Sequence, residues 1–279
     1  MQQPPSLFDR EALQRHRARS ADRDAEAWFL HAEAASLVSE RLEEVNRSFT
    51  KIAVIGWKPE IWSEVPGPEA KYIADDDVLD LTEASCDLII HAMSLHWSND
   101  PVGQLVQMRR ALKPDGLMIA VFFGGRTLHQ LRVAMAEAES AVEGGLSPRV
   151  APMGDIRELG GLLQRAGFAL PVADHFEFNV SYETPLHLMH DLRAMGETNA
   201  LAGRRKTPLR RETLARALSA YQSHFADDEG RIMATFDLTF LTGWAPSADQ
   251  QKPLRPGSAQ ARLAEALGTV EKNPEKDGA

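Results

Sequence analysis

The sequence predicts an α/β protein with a central, mostly parallel sheet, an antiparallel edge strand and a helical lid. Three observations predict it. Residues 87–92 and the run that follows Gly116 are apolar without alternation, as strands covered on both faces are. Between them, residues 101–112 carry the marks of a helix, with Asn99 or Asp100 as its cap, Pro101 at its first position, and Leu105, Met108 and Leu112 at helical spacing. A strand, a helix and a strand of this length make one right-handed crossover. The third observation is a pair of alternating segments, residues 176–182 and about 233–244, separated by two helical stretches. They read as adjacent antiparallel strands whose connection forms a lid.

At 279 residues the chain can bury a large core, and no Gly/Ser- or Pro-rich linker breaks residues 1–245. The expected organisation is N-terminal helices over residues 1–50 packing on the sheet, an α/β domain over 51–245 with its lid at 185–225, and a partly disordered extension over 246–279. A net charge of −9 argues against a nucleic-acid partner. The single cysteine, Cys86, excludes an internal disulfide and a cysteine-built zinc site, and its apolar neighbours make it a small core residue. No stretch approaches the ~20 apolar residues of a membrane span. The first residues mix arginines with Asp9, Glu11, Asp22 and Asp24 and hold no apolar segment, so the expected location is the cytoplasm.

Taken in order, residues 7–45 read as two helices, the first basic, the second with Trp28, Phe29, Ala32, Leu37, Val38 and Leu42 on one stripe. Residues 51–55 are a short buried strand ending at Gly56. The turn Gly56-Trp57-Lys58-Pro59-Glu60 has one glycine, where a cofactor loop needs bare backbone. Residues 70–74 form a further strand running into Asp75-Asp76-Asp77, which either accept hydrogen bonds from an adenine or ribose edge or form a solvated loop. Only residues 57–70 separate these strands, room for one abbreviated crossover and not two. After Gly124-Gly125, the spacing of Thr127 and Gln130 suits a capping box for a helix to about Glu143, stopped by Gly144. Residues 155–166 are a helix closed by Gly167, and further helices are expected at about 185–195 and 210–225.

The turn between residues 94 and 100 lies at a strand's carboxyl end, where open α/β sheets place ligands. His96, Trp97 and Asn99 are therefore the candidate catalytic residues. His96 has the chemistry of a general base and Trp97 that of a stacking surface, although lining a pocket is the commoner use of such a turn. Gly56, Asp75, Asp76 and Ala92 are the candidate cofactor-binding residues. His187 and His190, three apart on a helix, lack a third metal ligand nearby. Asp191 and Glu197 suit either an arginine substrate or a solvated face. Arg204, Arg205, Lys206, Arg210 and Arg211 form a basic patch that suits an acidic protein, anionic lipid or solvent.

LHWSND, RRALKPDGL and GGRTLHQLR together resemble the Rossmann-like class I S-adenosylmethionine-dependent methyltransferase fold. FDREALQRHRARSA, GGLSPRVAP, LGGLLQRAGFALPV, LMHDLRAMGETNAL, DGRIMATFDLTFLTGWAP and QQKPLRPGSA resemble one branch of it, the mitochondrial complex I assembly factor 5 family and its alphaproteobacterial relatives, over about residues 7–267. The resemblance implies S-adenosylmethionine as cofactor, hydroxylation of an arginine as activity, and a quinone-site subunit of respiratory complex I as partner; peripheral membrane contact is the expectation that the basic patch adds. It also places Asp75 and Asp76 near adenine. Two departures stand out. The family's glycine-rich first loop keeps only Gly56, and the strand carrying the ribose-gripping acid is missing. Three readings follow: a methyltransferase-like enzyme acting on protein arginine, a degenerate assembly or binding factor without catalysis, and a small-molecule methyltransferase similar to the one that primes biotin synthesis. Residues 233–258 favour the first two.

Overall fold

Residues Cys86–Ala92 form strand β3 and Leu112–Phe123 form strand β4, paired in parallel, with helix α4 (Pro101–Ala111) crossing between them. Both strands are buried on two faces, which is why neither alternates in sequence. Of the two candidate caps it is Asp100 that serves, its carboxylate accepting from the Gly103 amide at 2.8 Å. Pro114-Asp115-Gly116 falls where the β3–β4 register shifts between Leu112 and Leu117, and Asp115 adopts a φ of 62°. These three residues thus form a bulge inside the strand pairing.

The computed structural model describes residues 6–21, 25–65 and 69–250. Residues Met1–Pro246 make one compact unit and a second begins at Ser247. Of the second, residues 247–250 are described, with the Ser247 amide donating to Gln250 at 3.1 Å. The disorder expected near the carboxyl end concerns residues outside the described ones.

The remaining elements are α1 (Arg10–Ser20), α2 (Phe29–Glu44), β1 (Ile52–Ile55), α3 (Pro59–Trp62), β2 (Lys71–Ile73), α5 (His129–Glu143), α6 (Ile156–Ala166), β5 (Ala169–Tyr182), α7 (Pro185–Ala194), α8 (Arg211–Phe225) and β6 (Ile232–Trp244). The six-stranded sheet runs β2-β1-β3-β4-β6-β5, with β6 antiparallel to both β4 and β5. The reversed strand is therefore one in from the edge. β2 lies directly against β1, joined through the single-turn α3, so this side of the sheet is short, as the chain length between them requires.

Alternate residues of the central strands fill two cores. Val54, Ile90, Ile119 and Val121 share one with α2, α5 and α8, while Ile55, Ile89, Met118 and Ala120 share the other with α4 and α6. At ~25 cal/mol per Å² of apolar surface, these paired cores are the main stabilising contribution. Gly144 and Gly167 end α5 and α6 at φ of 69° and 82°, as expected. The capping box does not form. Leu128 precedes α5 without a side-chain cap, because the Thr127 hydroxyl bonds Asp237 and Gly124 and the Gln130 amide bonds Thr235. Strand β6 has claimed both side chains.

Candidate active site

The carboxyl ends of β1 and β3 meet at Gly56 and Ala92. A Cβ on Gly56 would lie 2.9 Å from the Ala92 carbonyl oxygen, so glycine is needed for the strands to approach, whatever else the turn does. Trp57 follows. Its indole sits edge-on to Trp28 with centroids 5.0 Å apart, beneath the Arg17 guanidinium at 5.1 Å, and against Gly196, whose φ is 76°. The Trp57 side chain thus builds one wall of the cleft.

Helix α1 lies across this cleft. Its capping residue Asp9 accepts from Ala12 N and pairs with Arg204 at 2.8 Å. Arg10 and Arg17, two turns apart on one face, both reach Asp75, at 3.4 and 2.7 Å. Burial alone would raise the Asp75 carboxyl, but Arg17 and Arg10 outweigh it and hold the group below its ordinary value. Asp76 is exposed and 3.8 Å from Arg10.

Around Arg17 a set of buried polar atoms has no hydrogen-bond partner among the described residues: Arg17 Nε and Nη2, Trp28 Nε1, Trp57 Nε1, His31 Nε2, His91 Nδ1, Ser94 Oγ and His96 Nδ1. Each would cost ~1–3 kcal/mol if left unmet. His31 and His91 are pushed down to about 4, by burial first and with Arg17 and His96 adding to it. Arg17, Trp28 and Trp57 are obligate donors. Such a set fits an acceptor-rich, negatively charged group, as the carboxylate end of S-adenosylmethionine is. Asp75 is shared with two arginines, and Asp76 beside it is the exposed acid.

Next to this cluster, Leu95–Trp97 form a 3₁₀ turn after β3. His96 Nε2 lies 3.0 Å from Glu197 Oε2, and Trp97 Nε1 donates to the same oxygen at 2.8 Å. Burial would raise the Glu197 carboxyl, yet His96, His31 and Arg17 bring it below its usual value. Glu197 and Trp97 line a cavity of ≈ 220 Å³ whose other walls are mostly apolar, including Phe123, Leu131, Met189, Leu192 and Phe236.

Of the predicted residues, the fold brings Gly56, Ala92, Asp75, His96 and Trp97 to the strand ends. Asn99 is elsewhere engaged, exchanging two hydrogen bonds with the Phe8 backbone at 2.8 and 3.1 Å and so anchoring the segment before α1. In the basic patch, Arg204 is paired with Asp9 and Arg205 with Glu143, leaving Lys206, Arg210 and Arg211 exposed. His187 meets Glu183 at 3.7 Å, and no group of three or more potential metal ligands occurs among the described residues. No helix of the described residues is long and apolar enough to cross a membrane. Sequence reading missed Arg17 and His31. Arg10 and Arg17 did carry a signal, their seven-residue spacing.

A methyltransferase-domain family model matches residues 62–120. The arginine-hydroxylase NDUFAF5, mitochondrial, of Danio rerio is 38% identical over 198 residues, covering 71% of this chain and 61% of that protein. Its namesake in Rattus norvegicus is 33% identical, covering 91% of this chain and 82% of the other. The chain spans about three fifths of the length of the Danio rerio and Homo sapiens proteins, 61% and 60%. Among solved structures, the YcgJ protein of Bacillus subtilis matches with a TM-score of 0.50 at 12% identity, over 77% of this chain and 99% of that one. That likeness concerns the fold.

Proposed function

Because the chain belongs to the NDUFAF5 family, within the class I methyltransferase fold, we propose that it is an S-adenosylmethionine-dependent, methyltransferase-like protein that modifies an arginine of a quinone-site subunit during assembly of respiratory complex I. The observation that carries this reading is the juxtaposition, through Glu197, of the donor cluster around Arg17 with an apolar cavity holding an ionised carboxylate. One compartment suits a cofactor's anionic end and the other a cationic substrate.

S-adenosylmethionine, when bound, supplies an activated methyl group. The chain's own residues do the rest. Arg17, Trp28 and Trp57, whose buried N–H groups lack partners among the described residues, would donate to the cofactor carboxylate, and Asp75 and Asp76 would accept from the nucleoside. Gly56 and Ala92 keep the strand ends close enough to support it. His96 holds Glu197 in its ionised form, and Trp97 fixes the same oxygen. Both belong to the substrate wall, and Asn99 supports them by tying down Phe8, whose ring packs edge-on against Trp97 at 5.2 Å. The apolar walls keep water from the reacting side chain.

A second reading is a non-catalytic assembly factor. It is favoured by one observation, that Arg10 and Arg17 already occupy Asp75 beside a turn with a single glycine. The exposed Lys206, Arg210 and Arg211 support contact with an acidic membrane or protein surface. Mass spectrometry of complex I from cells lacking this chain, and from cells with it restored, tests the reading. Loss and return of a modified arginine in the quinone-site subunit is expected. Assembly that depends on the chain with no change at any arginine supports the second reading instead.

A further inference from the structure

We propose that the ≈ 220 Å³ cavity receives the side chain of a peptidyl arginine and that Glu197 is the residue that selects its guanidinium; this rests on the reading above that the substrate is a protein arginine. Glu197 is buried, with its side chain 5% exposed. A carboxylate in such a place is stable only when its lone pairs are met. His96 and Trp97 both serve Oε2, and no hydrogen bond to Oε1 is formed by the described residues. The cavity therefore presents an ionised oxygen in a largely apolar enclosure, where a ligand cation with N–H donors is strongly favoured.

The other charged groups on the cavity leave this role to Glu197. Arg149 is committed to Glu139, with Nε 2.7 Å from Oε1. Arg193 is exposed and lines both this cavity and an adjoining hollow shared with His190 and Asp191. The volume suits one long side chain. Leu131, Met189 and Leu192 match an aliphatic stem, and Phe123, Phe236 and Trp97 offer ring surface to a flat cation. A guanidinium presents a planar fork that can donate to Oε1 while its face meets a ring, which an ammonium does not do. Free arginine carries the same group, but its own ammonium and carboxylate would accompany the stem toward an apolar enclosure. A peptide carries neither charge at that place, so the polypeptide is the expected ligand.

Binding of fluorescein-labelled peptides that differ at one position, arginine, lysine, citrulline or alanine, to the full chain tests this by fluorescence anisotropy. The arginine peptide should bind at least about tenfold more tightly than the citrulline peptide, which has the same shape without the charge. In folded Glu197→Gln that ratio should fall toward one, and in Leu192→Phe, which keeps the carboxylate but fills the cavity, the arginine peptide should lose about tenfold in affinity. Equal binding of arginine and citrulline peptides overturns the proposal. So does an unchanged ratio in folded Glu197→Gln, unchanged affinity in Leu192→Phe, or free arginine competing as well as the peptide. Should Glu197→Gln not fold, Leu192→Phe decides. Titrating S-adenosylmethionine separately keeps the two claims apart. Arginine selectivity without cofactor binding sinks only the cofactor reading, and cofactor binding without selectivity sinks only the role of Glu197.

Discussion

Arg17 carries its charge into a place where a guanidinium is stable only with partners, and Asp75 supplies one at 2.7 Å, both side chains being under a tenth exposed. Removing one member of such a pair strands the other. Arg17→Met should therefore cost about 3–5 kcal/mol in urea unfolding, and Arg10→Met clearly less, since Arg10 lies farther away at 3.4 Å and is more exposed. Acid acts on the same cluster. His31 and His91 are neutral in the fold down to about 4, whereas in the unfolded chain they titrate near the ordinary value of 6.5. Between those values the unfolded state binds more protons, so stability is full above that range and falls as pH drops through it, by about 1 kcal/mol per pH unit for each histidine. Asp75 and Glu197 are held low, so their contribution is present above their ordinary values of 3.8 and 4.5 and is lost as pH falls below these and through the depressed ones. Unfolding midpoints measured from pH 7 to 4 should show the slope, and replacing both histidines by glutamine should flatten it. None of this partnership was legible in sequence. The seven-residue spacing of Arg10 and Arg17 puts them on one face, but their partner lies 58 residues beyond Arg17, and spacing within a helix says nothing of that distance.

At the scale of elements, β3, α4 and β4 were legible because each carries its own cause: apolar runs buried on both faces, an aspartate cap and a proline at the first position. Asp100→Ala should cost about 1 kcal/mol by removing that cap, read from a thermal or urea melt. The start of α5 was misread for the opposite reason. Thr127 and Gln130 have the spacing of a local cap, yet Asp237 and Thr235, more than a hundred residues later, hold both side chains. The same strand constrains Gly125, where φ is 49° and a Cβ would fall 2.0 Å from the Asp237 carboxylate. Gly125→Ala should destabilise by more than about 1 kcal/mol, and should release His175, whose Nδ1 lies 3.0 Å from Asp237, visible as a chemical-shift change of that ring by NMR at fixed pH.

At the scale of the molecule, the sheet is shortened on the β2 side and complete through β5, and the two halves of the candidate site differ accordingly. The cavity side rests on α7 and the turn after β3, both foreseen from sequence. On the cleft side, chain length allowed one abbreviated crossover between β1 and β2 but did not reveal that helix α1 and Trp57 would line the ends of these strands. The reading of this protein as an S-adenosylmethionine-dependent member of its family depends on whether Arg17, Trp57 and Asp75 still form a cofactor site. Calorimetric titration of the full chain with S-adenosylmethionine and S-adenosylhomocysteine measures that directly. Saturable heat with both ligands, weakened in folded Arg17→Met, is the predicted result; no heat at millimolar ligand from well-folded protein would contradict it.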